Sequence, residues 1–295
     1  MKITHRSDST RRRLATSIVA WLPVLLIACL LAPQAAAQTA STRKPLIIAH
    51  RGGSLESTEN TIGAFQRAFR IGADGIETDI RLTRDGTVVV YHDDTFGRVE
   101  GLPKAQRTRP ISDMTYAELT AQTLIPVGED TGGRRVPTLS DLLAQVHGGL
   151  LNIELKRCAK FDDLVKKTIA ILKDYKELDR VVLEAPDLDT AKKLRKALGA
   201  RLKLHINPEY DTTVPVRDSL KKLLKFKPHS VSISYKLLSR DMVESAHHEG
   251  VEVWVWTVND NAVAERMREL GVDAIKTDRP TSLMELFRGE RGRDK

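Results

Sequence analysis

The sequence runs to 295 residues, 41% hydrophobic and 29% charged, with a formal net charge of +8 and a mean hydropathy of −0.29. These are the values of a soluble globular chain with material for one large core. They exclude a nucleic-acid-binding footprint, because half of the net charge sits in the leader described next, and a disulfide-stapled fold, because one of the two cysteines sits there too.

Arg11, Arg12 and Arg13 precede an apolar run over 14–31, and Ala35, Ala36 and Ala37 offer small residues to a signal peptidase. The stretch 1–37 reads as an export signal cut after Ala37, so the mature chain is expected in the periplasm with no stable membrane insertion. Two alternatives compete: a single transmembrane anchor, and a lipoprotein signal in which Leu26-Ile27-Ala28 precede a lipidated Cys29. Leu30 and Leu31 keep the run apolar beyond Cys29 and favour Ala37. Ser9-Thr10-Arg11-Arg12-Arg13-Leu14 also has a twin-arginine look. Removing five Lys/Arg and one Asp with the signal leaves 42 basic against 38 acidic residues on 258, a net charge of +4, and Cys158 as the one cysteine. That mild positive charge suits a phosphate-bearing substrate.

After a polar linker at 38–44 the chain alternates strand-like and helix-like segments to its end. Strands are expected at about 46–50, 75–81, 150–156, 180–185, 202–207, 230–235, 251–257 and 274–278. Amphipathic helices fall between most of them, among them 59–70, 191–198, 241–248 and 261–270. Eight such units predict an α/β fold, the (β/α)8 TIM barrel. Ile76 and Ile80 alternate with Glu77 and Asp79, and Leu151, Ile153 and Leu155 with Asn152, Glu154 and Lys156. One strand face is therefore aliphatic, for packing against helices, and the other polar, for the barrel mouth. The rhythm breaks over 82–136, where Asp85-Gly86 signals a hairpin. This predicts an insertion between the second strand and its helix, which starts near Thr138.

The chemistry gathers at strand ends. His50 and Arg51 leave the first strand together, one able to move a proton near neutral pH, the other a flat fork of donors for phosphate or carboxylate. Glu77 and Asp79 project to one side of the second strand, and Glu154 to the same inner face of the next. Three converging carboxylates are costly unless a metal joins them, and an all-oxygen set suits one divalent cation, Ca2+ or Mg2+. The alternative is that Arg51 and Lys156 neutralise them as internal ion pairs, which spacing alone leaves open. His92 gives a second imidazole at a chain exit, enough for one acid and one base. Lys156 is a second candidate for binding phosphate, and Trp256 projects inward near the mouth, where it lines the cleft or simply fills core.

In order, His50-Arg51-Gly52-Gly53, Glu59-Asn60-Thr61, Gly75-Ile76-Glu77-Thr78-Asp79, Thr83-Arg84-Asp85-Gly86, Val90-Tyr91-His92-Asp93, Pro137-Thr138-Leu139, Glu154-Leu155-Lys156, Trp256-Thr257-Val258-Asn259 and Lys276-Thr277-Asp278-Arg279-Pro280 resemble the glycerophosphodiester phosphodiesterase family. The resemblance spans nearly the whole mature chain, so 45–295 is expected to be one such domain. It implies the phospholipase-C-like barrel with its insertion, His50 and His92 as the acid and base, Glu77, Asp79 and Glu154 as holders of a divalent cation, and Arg51 and Lys156 as phosphate ligands. The chain departs from the family pattern at Thr58, where proline is usual, at Gly97-Arg98-Val99-Glu100, and at Glu184, which is an extra metal or substrate contact or a partner of Lys156, His205 or Lys276. The segment His205-Ile206-Asn207-Pro208 is assigned only to the cleft wall.

The implied reaction is metal-dependent hydrolysis of small glycerophosphodiesters to glycerol 3-phosphate and an alcohol, the nucleophile being water or the neighbouring glycerol hydroxyl. Two other readings compete with it. A lysophospholipid-directed enzyme of the lysophospholipase D type calls for an apolar rim on the insertion, against which the polar 105–110 stretch speaks. A catalytically dead barrel that binds a phosphate ligand is disfavoured by the intact set of acids and histidines.

Overall fold

The computed structural model describes residues 44–101, 107–128 and 133–289. The expected export signal lies outside the described residues. Among the described residues there are nine strands: β1 (Leu46–Ala49), β2 (Gly75–Leu82), β3 (Val88–Val90), β4 (Leu150–Leu155), β5 (Val181–Ala185), β6 (Lys203–Ile206), β7 (Ser230–Ser234), β8 (Glu252–Trp256) and β9 (Ala274–Thr277). Eight of them pair in parallel in the order β1-β2-β4-β5-β6-β7-β8-β9, and β9 returns to β1 through Leu46↔Ala274 to Ala49↔Thr277, which closes the barrel. β3 stands apart as an antiparallel hairpin partner of β2, Ile80 facing Val90 and Leu82 facing Val88. The fold is the (β/α)8 barrel with an insertion after its second strand.

The helices are α1 (Ile62–Arg70), α2 (Tyr116–Thr120), α3 (Leu139–Gln145), α4 (Phe161–Lys173), α5 (Leu188–Leu198), α6 (Val216–Phe226), α7 (Arg240–His248), α8 (Asn261–Leu270) and α9 (Pro280–Arg288). All but α2, which belongs to the insertion, follow a barrel strand and cover its outer face. α1 starts three residues later than its apolar spacing suggests. Asn60 sits at φ +57 and Thr61 is the cap, its hydroxyl accepting from the Ala64 amide, so Glu59 and Asn60 stay in the loop and face the site. α3 opens at Thr138 with a reciprocal cap to Asp141, where the sequence put it.

The alternation along each strand sorts two environments. Ile47, Ile76, Ile80, Leu151, Ile153, Leu183, Leu204, Val231, Ile233, Val253 and Ile275 are fully buried in the main core with the helices. The inner face is less uniformly polar than the sequence suggests, because its lower part is an apolar plug of Ile48, Val182, Trp254 and Ala274. A barrel interior must be filled, and only its mouth can keep polar groups hydrated or paired. The insertion has a core of its own around Val89, Tyr91, Phe96, Ile111, Met114 and Leu119. It is stitched to the loop after β1 by an isolated bridge between Ser57 and Gly128 and by the Val127 amide donating to Thr58 Oγ1 at 3.1 Å.

The chain turns out of β1 through three successive left-handed residues, Arg51 (φ +53), Gly52 (φ +84) and Gly53 (φ +95). This turn brings Arg51 back toward β2. A Cβ at Gly52 would lie 2.8 Å from the Ala64 Cβ. Gly52→Ala is therefore expected to destabilise the fold by about 2–4 kcal/mol, through the unfavourable φ and the overpacked contact together, measured as a lower midpoint in urea unfolding.

Candidate active site

The C-terminal ends of the barrel strands converge on a cleft of about 300 Å³. His50 and Arg51 enter it after β1, Glu77 and Asp79 from β2, His92 after β3, Glu154 from β4 and Lys156 just beyond it, and Trp256 at the end of β8. All eight residues singled out from the sequence thus line one cavity, with Glu184, Asn207, Ser232, Thr257 and Lys276 completing the wall. A wider hollow of about 1030 Å³ between the loops after β4, β5 and β6 meets this cleft at Asn207 and carries none of those eight.

Oxygens of Glu77, Asp79 and Glu154 lie within 4.8 Å of one another, and Glu77 and Asp79 are buried. The register explains the meeting, since Glu77 faces Asn152 and Asp79 faces Glu154 across the parallel β2–β4 pair. Both sequence alternatives are visible. Lys156 Nζ is 2.8 Å from Glu154 and 3.5 Å from Asp79, and Arg51 Nε is 3.7 Å from Asp79. Burial disfavours the Asp79 carboxylate, but Lys156, His92 and Arg51 outweigh it and hold the group down at about 2, helped by the Asn60 amide at 3.1 Å. Glu77 is less well served. Burial, then Asp79, push it up to about 7, although the Arg51 amide donates to it at 3.0 Å.

Among the side chains lining the cleft, four carboxylates (Glu77, Asp79, Glu154, Glu184) stand against three permanent cations (Arg51, Lys156, Lys276). The ion pairs therefore leave one negative charge in excess, and Glu77 bears the strain. A divalent cation fits this donor set: hard, all-oxygen, clustered and under-neutralised.

Both histidines are gripped by carboxylates at Nδ1. His50 Nδ1 lies 2.6 Å from Asp278 Oδ1 and its Nε2 3.8 Å from Glu77; His92 Nδ1 lies 2.8 Å from Asp93 Oδ1. In each ring the carboxylate accepts a hydrogen bond from Nδ1–H and leaves Nε2 as the working atom. Burial pulls His50 down, but Glu77 and Asp278 outweigh it and the net shift is upward; for His92 burial prevails over Asp79, and the shift is downward. Asp278 is itself fixed by the Ser54 hydroxyl at 2.6 Å and the Asn259 amide at 2.7 Å. Asp278→Asn, which can no longer hold the charge beside His50, is expected to lower kcat about a hundredfold with little change in KM, measured by steady-state kinetics.

Three buried donors on the cleft wall have no hydrogen-bond partner among the described residues: Arg51 Nε, Ser232 Oγ and Trp256 Nε1. Unpaired donors in such a place suit an anionic or hydroxylated guest. Glu184 does not join the carboxylate trio. It pairs with Lys276 Nζ at 2.6 Å, and His205 Nε2 lies 3.7 Å away. His205 is fully buried, bonded through Nδ1 to Ser230 Oγ at 2.6 Å and packed at a tilt of 49° against the Trp254 ring, and burial pulls its pKa far down, so it stays neutral.

A sequence model described as the glycerophosphoryl diester phosphodiesterase family matches residues 50–282. The chain belongs to that family. It is an enzyme of the phosphodiester hydrolase class. The glycerophosphodiester phosphodiesterase of Caldanaerobacter subterraneus subsp. tengcongensis is 34% identical over 252 residues, covering 83% of this chain and 98% of the relative. The lysophospholipase D GDPD1 of Mus musculus is 28% identical and covers 81% and 85%. The crystal structure of a glycerophosphodiester phosphodiesterase from Thermotoga maritima superposes with a TM-score of 0.67 at 26% identity, covering 83% and 99%. An Oleispira antarctica phosphodiesterase, solved in complex with its product sn-glycerol-3-phosphate, has the same fold, with a TM-score of 0.69 at 23% identity and coverage of 82% and 96%.

Three participants of this phosphodiesterase site escaped the reading of single residues. Asp278 and Asn259 stand inside longer motifs, and the signal for them is a carboxylate and an amide shortly after inward strand ends. Ser232 sits in Ser230-Val231-Ser232-Ile233-Ser234, where inner-face alternation was legible but a hydroxyl gave no cue to chemistry.

Proposed function

We propose that this chain hydrolyses glycerophosphodiesters to glycerol 3-phosphate and a free alcohol, using one divalent cation, Ca2+ or Mg2+, held by Glu77, Asp79 and Glu154. The reading is carried by one observation: the under-neutralised carboxylate trio shares its cleft with two imidazoles, each held at Nδ1 with its other nitrogen left for the substrate. A divalent cation held by these three carboxylates would offset the excess negative charge of the cleft and would supply electrostatic stabilisation for a phosphodiester anion.

The remaining steps belong to the chain's own residues. Arg51 and Lys156 bind and orient the phosphate, and Ser232 and Trp256 offer their unpaired donors to the bound diester. One of His50 and His92 takes the proton from the attacking hydroxyl, and the other gives one to the departing alkoxide. The product named in the Oleispira antarctica complex supports the choice of glycerol 3-phosphate.

We place this reaction in the periplasm, after cleavage at Ala37, with 45–295 as the functional domain. No helix among the described residues is long and apolar enough to cross a membrane. The test is release of glycerol 3-phosphate from glycerophosphocholine and glycerophosphoethanolamine with and without a chelator. Turnover restored by Ca2+ or Mg2+ supports the reading; tight binding of the diesters without turnover under every metal would instead favour a binding protein.

A further inference from the structure

Segment 97–100, where the chain departs from the family pattern, supplies a residue to which the reaction above gives no task. Arg98 belongs to the insertion, and its backbone is pinned on both sides. Its amide donates to the Tyr91 hydroxyl at 3.3 Å, and its carbonyl accepts from the Ile125 amide at 3.1 Å. Tyr91 is buried in the core of the insertion, its ring centre 5.5 Å from that of Phe96. The guanidinium is thus carried by a packed piece of the insertion, and it reaches two carboxylates at once.

Nε donates to Asp93 Oδ2 at 2.7 Å, and Nη1 donates to Glu59 Oε2 at 2.7 Å. Each acceptor has a residue of the catalytic cleft on its other side. Asp93 turns Oδ1 to His92 Nδ1 at 2.8 Å, and Glu59 Oε2 lies 3.3 Å from Arg51 Nη1. The result is one line of alternating charge, Arg51–Glu59–Arg98–Asp93–His92, that begins on the phosphate-binding guanidinium and ends on a proton-transfer imidazole. Arg98 is 48% exposed, and ion pairs at such a place contribute little to stability, so the needs of the fold do not explain the line. What it does is restrict rotation. A carboxylate gripped at both oxygens keeps its ring partner in one orientation, and a Glu59 shared between two guanidinium groups makes a weaker claim on Arg51, whose Nε has no hydrogen-bond partner.

Resting on the proposed phosphodiesterase reading, we propose that Arg98 is a positioning residue of the reaction: through Asp93 it holds His92 with its proton on Nδ1 and Nε2 left for proton transfer, and through Glu59 it keeps Arg51 available to the phosphate. Arg98 does not line the cleft and acts through these two neighbours. Without the guanidinium, Asp93 is released to rotate and Glu59 draws on Arg51 instead. A lysine is a single point charge and cannot serve both carboxylates in the fork geometry.

The experiment compares the unsubstituted protein with Arg98→Ala and Arg98→Lys in steady-state hydrolysis of glycerophosphocholine, each also in the His92→Asn background. Nitrogen NMR above neutral pH, assigned with His50→Asn and His92→Asn, reads which imidazole nitrogen carries the proton. For Arg98→Ala the expected result is a kcat about 10- to 100-fold lower and a raised KM, with the urea midpoint unmoved. Arg98→Lys, or methylguanidinium added to Arg98→Ala, should recover part of the loss. In the His92→Asn background Arg98→Ala should raise KM and lower kcat no further, because the imidazole it positions is gone. The His92 ring should pass from one tautomer to a mixture in Arg98→Ala, while His50, held by Asp278, stays as it was. An unchanged His92 tautomer, a kcat loss as large in the His92→Asn background as in the parent, or a loss that tracks a lowered unfolding midpoint overturns the proposal. A parent protein that hydrolyses no diester, but whose His92 tautomer responds to Arg98→Ala, removes the phosphodiesterase reading and leaves the positioning of His92 standing.

Discussion

Glu77→Gln is expected to cost about a thousandfold or more in kcat/KM while making the metal-free protein more stable. The loss follows from removing one of three oxygens that hold the cation, whose charge stabilisation of a phosphoryl transition state is worth several kcal/mol, about tenfold in rate for each 1.36 kcal/mol. The gain follows from the environment of the carboxyl group. Burial and the neighbouring Asp79 raise it from 4.5 to about 7, so in the metal-free protein the folded state binds a proton there that the unfolded state has already released. A raised carboxyl pKa destabilises the fold, progressively as pH climbs from about 4.5 to 7 and fully above it; falling pH restores the loss. Glutamine removes this dependence and is expected to add about 1–3 kcal/mol above neutrality. Thermal unfolding with chelator from about pH 5 to 8 reads the effect as a slope present in the parent protein and absent in the variant. Added Ca2+ or Mg2+ should then raise the parent's midpoint, by about 2.7 kcal/mol of stability at a hundred times Kd, and leave Glu77→Gln nearly unmoved. Equal metal responses in the two proteins would remove Glu77 from the cation site.

Replacing either His50 or His92 with asparagine is expected to lower kcat by about 10²–10⁴ and to change KM little, since proton transfer acts in the transition state rather than on bound substrate. The two losses should not add in the double variant, because the residues serve one displacement. A diester with a p-nitrophenol leaving group distinguishes their tasks. Such an alcohol departs without a proton, so loss of the imidazole that acts as acid is tolerated with this substrate, and loss of the one that acts as base is not. Equal sensitivity of both variants to both kinds of leaving group would contradict an acid–base pair.

Much of this architecture was legible from the chain because a strand's side chains obey a period of two. Glu77 and Asp79 had to share a face, and Glu154 had to meet them once β2 and β4 were neighbours. The closing of the ring was legible in the count of eight units, and the hairpin in Asp85-Gly86. Other features depended on distances that no spacing encodes. Whether Glu184 joined the cation site or found a lysine depended on which strands face each other across the barrel, and the answer was Lys276. That Ile48, Val182, Trp254 and Ala274 would plug the floor was hidden for the same reason: inward positions look alike in sequence at whatever depth they sit. Asp278 is brought to His50 by closure of β9 on β1, a contact spanning 228 positions, and nothing local announces it.

The Lys276–Glu184 pair also bears on how the molecule can be divided. β5 and β9 occupy opposite sides of the ring, so this 2.6 Å contact braces the lumen along its diameter, with both partners almost wholly buried. A fragment ending between them would leave a buried charge without its closest partner, at a cost of about 3–5 kcal/mol. Half-barrels cut from this chain should therefore not survive as independent units, and any duplication, permutation or fragment complementation must deliver both strands before the lumen can seal.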